Sequence, residues 1–147
     1  MIDPPRDAWR VFSQGDGRPR PAEWRRNAAR FFDLDFTVDE SSAVAVRVTV
    51  EGVSRAVVSR PRDEADLRDA LAAENAQGGG GLYDLAERRC ATVWLVEREG
   101  PDDRAALRLA ATLASVGLGP ILADGELFGV RTAREKLEKL GAPYRAR

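Results

Sequence analysis

Apolar and polar positions change their spacing several times along this chain, and the clearest stretch lies near its middle. Residues 91–97 (ATVWLVE) form a nearly unbroken apolar run with β-branched and aromatic members, the pattern of a strand covered on both faces. Gly100-Pro101-Asp102-Asp103 then opens a helix, because proline suits the first helical position and acids suit the positive end of the helix dipole. That helix runs through Leu107, Leu109, Leu113 and Val116 until Gly117-Leu118-Gly119 stops it, and Pro120 to Ala123 follow as a second strand. Strand, helix and strand at this spacing predict a βαβ unit with parallel strands.

Upstream, Pro21 opens a helix in which Trp24, Ala28 and Phe31 share one face. The period then changes to two. Phe32, Leu34, Phe36 and Val38 alternate with Asp33, Asp35, Thr37 and Asp39, which predicts a half-buried strand. After a turn at Asp39 to Ser42, Val44, Val46, Val48 and Val50 mark a second strand. Glu51-Gly52 turns the chain into a third, Val53 to Ser59, with Val50 facing Val53, Val48 facing Arg55 and Val46 facing Val57. Asp63 caps a helix through Leu67, Ala70 and Leu71, and Gly78 to Gly81 read as a flexible connector to a short helix at Leu82, Leu85 and Ala86. Asp124-Gly125 predicts a hairpin into Leu127 to Val130. Thr132 and Glu135 then suggest a capping box for a last helix, ended by Gly141 and Pro143. Residues 1–20, with Pro4, Pro5, Gly15, Gly17 and Pro19, read as an arm pinned by Trp9 and Phe12, and residues 21–147 as a single α/β domain.

The predicted fold is therefore α/β with a mixed sheet: an N-terminal helix, a three-strand antiparallel meander, then βαβ with a C-terminal hairpin strand and helix. Its element order resembles that of the restriction-endonuclease-like core (αβββαβ) and of the ribonuclease-H-like core (βββαβαβα). Both are analogies of topology, which carry little about function.

Composition removes much chemistry. The 147 residues include no histidine and one cysteine, Cys90. Ser-His-Asp and Cys-His nucleophile systems, His-ligated metals and intrachain disulfides are excluded, leaving a hard, oxygen-bound cation as the only reasonable metal. Net charge is −1, so neither nucleic acid nor an anionic membrane is an expected partner, although residues 131–147 carry a net +4. No apolar run is long enough to span a bilayer and the first residues lack an apolar signal core, which makes a cytoplasmic location the expectation. Of 23 basic residues only Lys136 and Lys139 are lysine. So strong an arginine bias suits a GC-rich coding sequence and argues against reading arginine clusters as functional.

Among candidate sites, FDLDFTV (32–38) resembles the first motif of haloacid-dehalogenase-like phosphatases over about eight residues, which would make one aspartate a nucleophile. Phe36 stands where that family has glycine and the preceding residues look helical, so the family is set aside. A restriction-endonuclease-like site needs an acid on the second strand and Glu-x-Lys on the third, and AVAVRVTV and VSRAVVSR supply neither. A ribonuclease-H-like site could draw on Asp33 or Asp35, Glu64 or Asp66, and Glu97 or Glu99. The metal-dependent alternative is a phosphodiester hydrolase holding magnesium or manganese on Asp33, Asp35, Glu64 and Glu97. With no complete constellation and no phosphate loop, the favoured reading is a non-catalytic protein-interaction or self-assembly module that needs no cofactor.

Overall fold

The computed structural model describes residues 2–141, and its most consequential strand lies where the sequence pattern predicts an arm. Ala8–Ser13 (β1) carries Trp9 and Val11 toward one face and Phe12 toward the other, and all three are buried. The chain continues through α1 (Pro21–Phe32), β2 (Thr37–Ser41), β3 (Ala45–Val50), β4 (Val53–Pro61), α2 (Glu64–Ala76) and α3 (Leu82–Arg89). It then forms β5 (Thr92–Glu97), α4 (Arg104–Gly117), β6 (Ile121–Ala123), β7 (Glu126–Phe128) and α5 (Val130–Lys139). The fold is mixed α/β, with a seven-stranded sheet in the order β2-β3-β4-β5-β1-β6-β7.

Every bonded pair of neighbours in this sheet is antiparallel. β5 and β6 do run in the same direction, as a strand–helix–strand crossover requires, but β1 lies between them and is antiparallel to both. The βαβ unit is therefore split, and the restriction-endonuclease and ribonuclease-H comparisons extend to element order alone. Gly119 makes the insertion possible. A Cβ there would stand 2.0 Å from the Phe12 carbonyl oxygen, so only glycine lets the segment before β6 approach β1. The Phe12 N–H donates to Pro120 O across the same junction.

The β3–β4 hairpin has the predicted register, with Val50 opposite Val53, Val48 opposite Arg55 and Val46 opposite Val57. Glu51 and Gly52 both take positive φ, as the tight turn demands. The strand predicted to begin at Phe32 differs. The α1 helix continues to Phe32 and ends at Asp33 in the left-handed conformation, and pairing starts only at Thr37. Phe32, Leu34 and Phe36 are nonetheless buried, so the alternation marked inward side chains but not a ladder. Asp63 caps α2 as expected, with the Asp66 side chain completing the box. The α4 cap is Asp103, which accepts from the Ala106 N–H, so Pro101 and Asp102 lie in the preceding turn. The α5 helix starts after Gly129, which places Thr132 inside it and leaves no side-chain cap. Pro143 lies outside the described residues.

One face of the sheet is covered by α1, α4 and α5, whose apolar residues join Trp9, Val46, Val48, Val57, Trp94 and Ile121 in the main core. The Trp24 and Trp94 rings meet edge to face at 5.0 Å. On the opposite face α2 and α3 cover only the β5-β1-β6-β7 half, through Ala70, Ala73, Ala86 and Cys90 against Phe12, Val93, Leu122 and Leu127. Over β3 and β4 the cover is Ile2, packed on Ala45, Ala56 and Val58, and no helix contributes to that cluster. No described helix is long and apolar enough to cross a membrane.

Candidate functional site

The four carboxylates of the metal alternative occupy separate structural posts. Asp33 is the left-handed cap of α1. Asp35, exposed in the following loop, accepts from the Arg25 guanidinium at 3.2 Å and from the Phe36 N–H at 2.9 Å. Neither lies on a strand, because α1 runs on to Phe32 and the ladder begins beyond both. Glu64 opens α2 and faces solvent. Glu97 ends β5, where its Oε1 accepts the Ala56 N–H at 2.8 Å and so ties β5 to β4. Among the described residues no three acids or thiols are grouped to hold a metal ion.

Other acids are committed to arginines, a use that the discounting of arginine clusters overlooked. The fully buried Asp66 carboxylate receives both Arg60 nitrogens at 2.5 and 2.8 Å and Arg10 at 3.1 Å, and it also caps the Asp63 N–H. Burial acts to raise its pKa, but these donors outweigh that effect and hold it at about 2. Arg55, itself buried, binds Asp103 at 2.7 Å. Arg98 lies 4.3 Å over the Trp9 ring and donates to Asp7 at 2.9 Å and twice to Asp124 at 2.7 and 2.8 Å. The Arg98 hydrogen bonds lower the Asp124 pKa. Pairs of this kind fix geometry, and a carboxylate so engaged has little capacity left for a cation. Cys90 is a buried free thiol. Burial pushes its thiol up to about 11 against the opposing charge of Arg62.

Two features remain open. The first is a sheet edge. At the far side, Gln77 closes β7: its amide donates to Leu127 O at 2.9 Å and accepts the Leu127 N–H at 2.6 Å, imitating a neighbouring strand. The β2 edge has no such cover among the described residues. It pairs only with β3, all five of its side chains are exposed, and Asp39 at its centre accepts from Thr49 at 2.5 Å. The second is a crevice of about 230 Å³ between the α4 start, β7 and α5. Trp9, Leu107, Phe128 and Leu140 give it apolar walls, and both lysines of the chain line it. Trp9 and Phe128 meet edge to face at 6.1 Å, and the buried Trp9 Nε1–H has no acceptor among the described residues. Neither feature was foreseen. The sequence signals were Gln77 just before the glycine run and the confinement of lysine to positions 136 and 139.

A scan against protein-family models and searches of curated proteins and of solved structures each return no match.

Proposed function

We propose that this protein is a non-catalytic interaction module that accepts an extended, basic segment of another protein along β2. The observation that carries the reading is the contrast between its two sheet edges, one closed by the Gln77 amide and the other ending at β2, which among the described strands pairs only with β3. An open edge is a template for strand addition, in which the main chain supplies affinity and alternate side chains supply selectivity. Charge favours a different protein over a second copy. In a twofold antiparallel pairing centred on β2, Asp39 would oppose the Asp39 of the other copy, and like charges directly opposite are destabilising. A lysine or arginine at that position would be favoured. The register shift between Val38 and Glu40 bends the strand locally, which further disfavours self-stacking.

The test uses a synthetic peptide of about seven residues alternating lysine and valine, long enough to span an ordinary strand. Hydrogen exchange followed by mass spectrometry should show new protection at residues 37–41, and Asp39→Lys should weaken binding about tenfold or more. Unchanged exchange at 37–41, or equal binding by Asp39→Lys, refutes the reading. Protection of 37–41 without peptide, with dimer in sedimentation, would select self-assembly instead. A rise in melting temperature with magnesium or manganese would restore the hydrolase alternative.

A further inference from the structure

The crevice beside Trp9 has a charge pattern that the edge reading does not use. Four of its charged neighbours are already satisfied in pairs. Asp124 is held by Arg98, whose guanidinium lies over the Trp9 ring, and Glu126 binds Lys136 at 2.6 Å while the same ammonium lies 5.0 Å over Phe128. Two charged liners make no ion pair among the described residues, and they have opposite sign: Asp102 in the turn before α4, and Lys139 in the last turn of α5. Each complements the helix end near it, which explains its sign. That does not explain why the two face one apolar crevice without closing on each other. The same crevice is lined by Trp9, Leu107, Phe128 and Leu140.

Residue identity adds a second argument. In a chain where 21 of 23 basic residues are arginine, both lysines line this crevice. An ε-ammonium is a compact point charge, whereas a guanidinium is a wide planar fork that would fill much of a small cavity. The volume of about 230 Å³ is below the roughly 300–1,000 Å³ of sites for drug-sized ligands, so the occupant is small.

We propose that the crevice binds a small zwitterion with an apolar body, of the amino-acid class, its ammonium group on Asp102, its carboxylate on Lys139 and its side chain against Trp9 and Phe128. The probes are L-leucine, N-acetyl-L-leucine, in which the ammonium is masked, and L-leucinamide, in which the carboxylate is masked. Titration of the full chain by calorimetry, with the Trp9 indole N–H resonance as the local reporter, should show leucine binding at least about tenfold tighter than either masked form. Asp102→Asn should abolish the preference over the acetyl derivative, and Lys139→Gln the preference over the amide. Both residues are exposed, so their melting temperatures should match the parent protein. No leucine binding at about 10 mM, equal binding by the masked forms, or survival of both preferences in the variants would overturn the assignment. Loss of only one discrimination would also overturn it, by reducing the site to a simple anion or cation contact. None of these outcomes depends on the β2 edge.

Discussion

Removing the Trp9 side chain is the most direct test of the strand inserted between β5 and β6. Trp9 is 3 % exposed, its ring packs edge to face on Phe128, and the Arg98 guanidinium lies over it. Truncation of a buried aromatic to alanine costs about 3–5 kcal/mol. The lost cation–π contact, worth about 0.5–2 kcal/mol, places Trp9→Ala toward the upper end of that range without adding to it in full. Against a typical stability of ~5–15 kcal/mol, and at about 3 °C per kcal/mol for a chain of this size, the melting temperature should fall by roughly 10–15 °C. Trp94→Ala, at 4 % exposure and with its ring against Trp24, should cost a similar amount. Trp9→Phe should be far milder, near or below about 1.5 kcal/mol, because it keeps the packing and removes an indole N–H that has no acceptor among the described residues. Urea melts followed by circular dichroism would measure all three. If Trp9 lay in an arm, Trp9→Ala would stay within about 1 kcal/mol of the parent while Trp94→Ala collapsed. That result would refute the placement of β1 and with it the Trp9 wall of the crevice.

Gly119→Ala should destabilise by about 3 kcal/mol or more in the same melts, since its methyl group would meet the Phe12 backbone, whereas Gly15→Ala, with only a 3.4 Å contact to Ser13 Oγ, should change stability by less than about 0.5 kcal/mol. Acid should also weaken the fold. The Asp66 pKa is about 2 when folded and returns to about 3.9 when unfolded, so the unfolded chain takes up the proton first. Its contribution of about 2–3 kcal/mol is present above pH ~4 and is lost as pH falls from there toward 2. Melts of the parent and of Asp66→Asn should converge over that window, and a constant gap between them would refute the linkage.

What the sequence made legible follows from how local each signal is. The β3–β4 register was readable because strict alternation and a two-residue turn fix it within sixteen residues or so of chain. The β5, α4 and β6 elements were readable for the same reason, but their neighbours were not. Nothing near Val93 or Ile121 says that the partner strand is residues 8–13, and AWRVFS between proline and glycine clusters is too short to outweigh its flanks. At FDLDFTV the alternation was sound as a record of burial for Phe32, Leu34 and Phe36 but not for the exposed Val38, and it was misleading about where pairing starts. The helix before it supplies Phe32, and the left-handed turn at Asp33 redirects the chain so that Leu34 and Phe36 still point inward. Site-level reading failed where acids serve structure. Asp66, Asp103 and Asp124 look in the sequence like any of 24 acids, and only the fold reveals the arginines that claim them.

The central position of β1 carries a cost in time. β1 is made before both of its partner strands, and the tie between Asp7 and Arg98 spans 91 residues while that between Gln14 and Leu118 spans 104. Contact order of this kind slows folding, because the entropy of closing long loops is lost before the ladder returns anything. Until residue 97 has been made, Trp9, Val11 and Phe12 have no strand to pair with, and until residue 123 has been made β1 presents an edge that is internal in the finished sheet. The nascent chain must therefore carry an unmatched aromatic strand until β5 is made, when the growing chain is most open to association with the wrong partner.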